Sequence, residues 1–338
     1  MNYYIKKSLI VLVLLVPCLI SAQQTGYRQR TDFNALMEPE SGILNGAGQS
    51  PDAFKKYSDV MPDGMKPVIY MTYVGLDGNI LEWAGKLKKE IEKYPWYIIP
   101  QIGLAMTHDG SPEKHYEQVV AAGGFDKQID TFVMALNFID RPSYVRIGYE
   151  FSGQWNGYVA ESYREAFARV ARAMRKGSVN PAATVWCMSP DANNKDFMSF
   201  YPGDDLVDWW CIDIFSHWHC SDSIAVAFMN GSLDHHKPLM IGESTPRGVG
   251  VEKADSSWQK WFYPYFRLIA DYPNMKAFCY INWNWAKYPK WGDWGNGRIE
   301  DNEYVSRHFV KEISHKYYIH GADEPSTRSF LRVPQGKK

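Results

Sequence analysis

The sequence predicts a (β/α)8 TIM barrel, and three observations predict it. Eight short runs are apolar on both alternating faces: residues 43–46, 67–73, 96–104, 144–150, 184–188, 209–215, 238–243 and 276–283. Strands covered on both sides read that way, as in a parallel sheet. Amphipathic stretches lie between several of them, at 80–93, 127–138, 162–176 and 256–272. Strand–helix units recurring at about 30 residues point to a closed barrel rather than an open doubly wound sheet. Finally, no repeat, linker or low-complexity segment divides the chain.

The stretch 162–176 (SYREAFARVARAMRK) carries the clearest helical signal. Ser162 is placed to cap, Glu165 completes an S-x-x-E box, and Phe167, Val170, Ala171 and Met174 recur at helical spacing. Gly177 follows as a terminating glycine would.

Lys6 and Lys7, an apolar run over residues 9–20 and then Ser21-Ala22 have the layout of a secretory signal peptide, with cleavage expected after Ala22. The run is shorter than the ~20 apolar residues that span a bilayer. Leu15-Val16-Pro17 before Cys18 does not resemble a lipobox. Residues 1–22 are therefore read as a signal peptide, 23–320 as a single catalytic barrel domain and 321–338 as a polar, poorly packed tail. A secreted or periplasmic protein follows, a monomer with no membrane span once the signal is removed.

The formal net charge is −1, with no long basic stripe, which argues against nucleic acid or an anionic membrane as partner. Cys187, Cys211, Cys220 and Cys279 remain after cleavage. Their spacing matches no zinc motif, and buried free thiols are the expectation, with a disulfide at Cys220 as the alternative. His217 and His219 flank Trp218 just before Cys220, but a zinc site needs three or four convergent ligands. No metal and no organic cofactor are expected. Aromatic residues make up 15% of the chain, including 13 Trp, several in Gly- and Asn-rich contexts. Flat, exposed indoles suit the C–H face of a sugar ring.

Two strands finish in Glu. Residues 144–150 (YVRIGYE) precede a Gly-bearing loop, FSGQWNG, and residues 238–243 (PLMIGE) precede STPRG. A carboxylate ending an apolar strand is costly unless paired or used, and in this barrel chemistry sits at the C-terminal ends of strands. By count these are strands four and seven. Arg146, four residues before Glu150, alternates onto the same inward face, either to hold a carboxylate or to fill the barrel as an ion pair. Asp213 within the sixth strand is expected to brace the interior.

At this point the sequence resembles clan GH-A of the glycoside hydrolases, and most closely family 26, the β-mannanase family. RIGYEFSGQWNGY (146–158), YPGDDLVDWWCIDIF (201–215) and KPLMIGES (237–244) are similar to that family's acid/base, strand-six and nucleophile segments. The resemblance implies Glu150 as acid/base and Glu243 as nucleophile in a double displacement on a β-linked polysaccharide or oligosaccharide, mannan-type first. It also implies Trp283 as the floor beneath the sugar under attack, with Trp285 beside it. Trp155 and Asn156 would meet substrate beyond the cleaved bond, and His108 would bind sugar hydroxyls. The sequence departs from the family at Tyr149, where His is usual, and at Phe215, where Tyr is usual. Tyr149 or His217 could substitute for the hydroxyl lost at Phe215. A second reading stays open here, a non-catalytic carbohydrate-binding protein on a glycosidase-like barrel.

Overall fold

The computed structural model describes residues 26–108, 111–329 and 331. The signal-peptide reading of residues 1–22 lies outside the described residues. Eight parallel strands close a barrel: β1 (Ile43–Gly48), β2 (Ile69–Gly75), β3 (Ile99–Ala105), β4 (Ser143–Ile147), β5 (Ala182–Met188), β6 (Trp209–Ile214), β7 (Leu239–Ser244) and β8 (Met275–Ile281). Neighbours in sequence pair in parallel, and β8 pairs with β1 to close the ring. The fold is the predicted (β/α)8 barrel.

Helices α1 (Pro51–Val60), α2 (Ile80–Ile91), α3 (Asp126–Ile139), α4 (Ala160–Gly177) and α5 (Ser223–Asp234) follow β1, β2, β3, β4 and β6. A helical segment over residues 255–271, with a π turn at Trp258–Phe262, follows β7, and Glu303–Ile313 follows β8. The expected alternation fails once. Between β5 and β6 the described residues form only 3-10 turns, Pro190–Ala192 and Phe197–Phe200. Rings fill the missing helix's place: Phe151 stacks on Trp186 at 4.4 Å, and Trp186 meets Trp210 edge-on at 4.7 Å. Such ring pairs add to the area they bury.

Two local expectations are corrected. Ser162 does not cap α4, because that helix begins at Ala160 and its N-cap residue is Val159. Instead the buried Glu117 carboxylate accepts hydrogen bonds from the Val159 N–H (3.0 Å) and the Ser162 hydroxyl (3.1 Å). A distant acid thus satisfies the helix start that the local box would have served. The stretch after Ile319, expected to pack poorly, carries the helix Glu324–Ser329 and buries Leu331 against the barrel's lower end.

That lower end, where the strands begin, is sealed by residues 30–42. The Tyr144 hydroxyl donates to the Met37 carbonyl (2.7 Å), and the Trp209 indole N–H donates to the Leu36 carbonyl (2.8 Å). Buried Lys276 sits 3.5 Å from buried Glu38 and donates to the carbonyls of Pro39 and Glu40. Pro39 forms an antiparallel bridge with Leu331. Inside the barrel lie Met71, Ile99, Tyr144, Val185, Cys187, Cys211, Met240 and Cys279, and the opposite faces of the strands pack on the helices. No helix among the described residues is long and apolar enough to cross a membrane.

Candidate active site

Glu150 and Glu243 reach the upper end of the barrel by two different distortions. On β7, Met240 points into the barrel and Ile241 points out. Regular alternation would return Gly242 inward and turn Glu243 outward. The β6–β7 register slips by one residue here, with Ile212 opposite Ile241 but Ile214 opposite Ser244. An inserted residue of this kind re-aims the side chain beside it. Both Gly242 and Glu243 therefore face inward. A Cβ on Gly242 would lie 2.4 Å from Cys211 Sγ and 2.8 Å from Asp213 Oδ1, so only glycine fits.

Strand β4 ends at Ile147, three residues earlier than expected, and Glu150 sits in a turn. Gly148 (φ +56°) and Glu150 (φ +51°) both adopt left-handed backbone. For Glu this conformation costs on the order of 1–3 kcal/mol and persists only where the surroundings hold it. They do so here. Asn156 Nδ2 donates to the carbonyls of Tyr149 (2.9 Å) and Glu150 (3.1 Å), and the Gly153 N–H donates to the Glu150 carbonyl (2.8 Å). Alternation thus carries Arg146 inward, but the turn, not the strand, aims Glu150.

The two carboxyls have opposite surroundings. Glu243 accepts from Arg146 Nη2 at 2.8 Å, and Arg146 Nη1 lies 3.4 Å from both Asp213 oxygens. Arg146 and Asp213 are fully buried. Burial alone would lower the Arg146 pKa, but Glu243 and Asp213 overcome it and hold the guanidinium charged. Burial, Cys187 and Glu243 push Asp213 well above the usual carboxylate range. Among the described residues no cation contacts Glu150. Burial first and the Glu243 charge second push its pKa up to about 8, against the Trp155 indole N–H, which donates to Oε2 at 2.7 Å. A site that drives one carboxyl to stay protonated beside a compensated carboxylate can donate a proton and attack as a nucleophile at one pH.

The remaining expected residues distribute around this pair. Tyr149 lies between Tyr73 (ring centroids 5.3 Å apart) and the Arg146 guanidinium (5.1 Å). Among the described residues neither Tyr149 nor His217 hydrogen-bonds Glu243, so neither replaces the hydroxyl missing at Phe215. Asn156 is buried and braces the Glu150 turn. Trp283 is half-buried two residues beyond β8. Its N–H donates to the Ser50 hydroxyl, and one face is covered by Tyr288, stacked at 4.9 Å. Trp285 is buried, with its N–H donating to Thr245 Oγ1. His108 stands on a short hairpin after β3, 3.2 Å from Asp77, with no contact to either Glu among the described residues. His217 lines a separate cleft with Trp218 and Arg247.

Sequence spacing missed two groupings. Cys187 and Cys211 lie side by side on β5 and β6, and their sulfurs and an Asp213 oxygen fall within 4.8 Å of one another. Arg146 Nη1, 3.6 Å from Cys187 Sγ, takes the position of positive charge beside them. All four described cysteines are free thiols. The second grouping is on the rim. Arg247 donates to both Asp191 oxygens at 2.7 Å and to the Ser216 hydroxyl, while His219 Nε2 lies 3.0 Å from Asp191. Burial opposes ionisation of Asp191, yet His219 and Arg247 pull its pKa down to about 2. Polar residues just past the ends of strands five, six and seven were the available signal.

No family model matches the chain. A Vibrio sp. β-1,3-xylanase, TXYA, is 30% identical over 335 residues, spanning 86% of this chain and 69% of the relative. A β-1,3-xylanase of Alcaligenes sp. is 28% identical over 326 residues, spanning 86% and 68%. Among solved structures, the catalytic domain of a Bacillus sp. family 26 endo-β-1,4-mannanase superposes with a TM-score of 0.60 at 13% identity, covering 86% of this chain and 90% of that one. With these relatives, the chain belongs to the glycoside-hydrolase family of the Vibrio sp. enzyme, and its barrel is similar to that of the family 26 glycoside hydrolases.

Proposed function

We propose that this glycoside hydrolase is an exported, retaining enzyme that cleaves β-1,3-linked xylan by double displacement. The observation that carries the mechanism is the split between the two carboxyls. Glu150, protonated and buried, donates to the leaving glycosidic oxygen. Glu243, compensated by Arg146, attacks the anomeric carbon and forms a glycosyl-enzyme. The Glu150 carboxylate then takes a proton from water, which attacks the same carbon and releases the sugar with Glu243 regenerated. The same split argues against a non-catalytic binding protein, which has no use for a proton donor held at the cost of burial.

The substrate reading rests on the β-1,3-xylanases to which the chain is similar. It displaces the mannan expected from the strand segments, since likeness to the mannanase structures at 13–17% identity speaks for the fold alone. Export rests on the charged and apolar pattern of residues 1–22. A panel of β-1,3-xylan, β-1,4-xylan, β-mannan and mixed-linkage glucan with product sizing tests the proposal. Release of xylo-oligosaccharides from β-1,3-xylan is expected. Preferential cleavage of mannan would return the substrate to the earlier expectation.

A further inference from the structure

Beyond the paired carboxyls, the barrel rim carries a second concavity of about 360 Å³, walled by His217, Trp218, Arg247, Lys260, Asp293 and Trp294. It is built by the loops that follow β6, β7 and β8, the strands on the Glu243 side of the barrel. Its construction is rigid. Arg247 lies over the Trp294 ring at 5.0 Å and the Trp218 ring at 5.9 Å. Asp191 and Ser216 hold its guanidinium from behind, and its backbone N–H donates to the Phe215 carbonyl at 3.2 Å. Trp294 packs on Phe215 (5.1 Å) and Trp285 (4.9 Å), and Trp285 is tied to Thr245, two residues past Glu243. Trp218, by contrast, is 52% exposed. A large indole left in water beside a pinned aromatic wall is a binding surface rather than core.

The charges in the cleft cancel. Arg247 faces an ionised Asp191, and Lys260 and Asp293 add one charge of each sign to the lining. His219 accepts the Phe215 N–H at Nδ1 and turns Nε2 toward Asp191. With the signs balanced, the lining does not favour a carboxylate or sulfate group. Two indoles, a guanidinium fork and no net charge are suited to a neutral sugar ring.

The cleft shares its Trp294–Trp285–Thr245 wall with the segment that follows Glu243, so it adjoins the end of the barrel where the bond is cleaved. We propose that the Trp218–Arg247–Trp294 cleft binds an uncharged glycosyl unit of the substrate chain away from the cleaved bond, and that it sets the preference for longer chains. This assignment rests on the glycosidase reading above.

The test compares wild type with Trp218→Ala on neutral β-1,3-xylo-oligosaccharides of graded length. The ratio of kcat/KM for a hexasaccharide to that for a disaccharide or trisaccharide should fall about two- to tenfold in the variant, the range expected for loss of one aromatic contact. An equal loss on every length, or none, would overturn the subsite. Binding is measured separately by calorimetry, adding the hexasaccharide to Glu243→Gln with and without Trp218→Ala. Kd should rise by the same factor, and an unchanged Kd would overturn the assignment. Because binding needs no turnover, this arm judges the cleft even if wild type cleaves none of these sugars, a result that would sink the substrate reading instead. Tighter binding of a sulfated or uronic-acid-bearing oligosaccharide would overturn the uncharged class.

Discussion

Arg146 reaches Glu243 across 2.8 Å inside the barrel, with the guanidinium fully buried and the carboxylate nearly so. Removing one partner of such a pair leaves an uncompensated buried charge, typically costing 3–5 kcal/mol. Arg146→Met should therefore melt at a lower temperature. In its folded fraction kcat/KM should fall by at least about tenfold, because the guanidinium that orients the attacking carboxylate is gone. Undiminished kcat/KM in a folded variant would show that Arg146 only fills space.

The Glu150 pKa of about 8 sets the basic limb. Activity should fall as pH rises through that value, since the proton donor is then lost. The Trp155 N–H bonds the ionised form and opposes the upward shift, so Trp155→Phe should move the basic limb to higher pH. A pH–rate profile of both proteins reads this directly, and a shift to lower pH would contradict the assigned role of the bond.

The same group makes a stability statement. In the unfolded chain Glu150 ionises near 4.5, whereas in the fold it stays protonated until about 8. Between these values the folded state binds more protons, so stability falls as pH rises. Glu150→Gln should thus melt at a higher temperature than wild type at pH 7.5, with the gain vanishing near pH 4. Glu150→Gln and Glu243→Gln should both fold and lose most activity on polysaccharide. An activated aryl glycoside, whose leaving group needs no proton, should spare the first step of Glu150→Gln but not that of Glu243→Gln. Nuclear magnetic resonance of early wild-type products should show retained anomeric configuration, and inversion would end the double-displacement scheme.

Trp283 and Trp285 divide two roles. Trp283, half-buried with one face covered by Tyr288, is expected to present its other face to the sugar under attack. Trp283→Ala should lower kcat/KM more than tenfold with a small change in melting temperature. Trp285 is buried among Trp283, Trp291 and Trp294. Its truncation to Ala should cost about 3–5 kcal/mol of stability. Melting curves and kinetics on one preparation of each variant compare the two.

The barrel was legible because its strands are buried on both sides and its helices keep a 3.6 period. Glu150 and Glu243 were legible as polar residues closing apolar runs. The devices that aim them were not. Alternation from Met240 places Glu243 on the outer face, and only the bulge against β6 corrects it. Nothing in YVRIGYE shows that Glu150 takes a left-handed backbone, because the bonds that hold it come from Gly153 and Asn156 in the following loop. Ser162 lost its capping role to Glu117, 45 residues away. Asp191 and Arg247 are 56 residues apart and find each other only once the rim is formed. Long-range pairs of this kind leave no periodicity to read.

The bridge between Pro39 and Leu331 has a practical consequence. Together with the Tyr27–Tyr318 hydroxyl bond and the Arg28 N–H donating to the Ala270 carbonyl, it sets both ends of the described chain at the barrel's lower face, opposite Glu150 and Glu243. A polypeptide fused to either end would hang below the sugar-facing rim without crossing it, so the enzyme can be tethered to a bead or a second module and still meet an insoluble fibre head-on. Joining these ends and opening the chain at an exposed loop on the same lower face should give a circular permutant with an undisturbed rim.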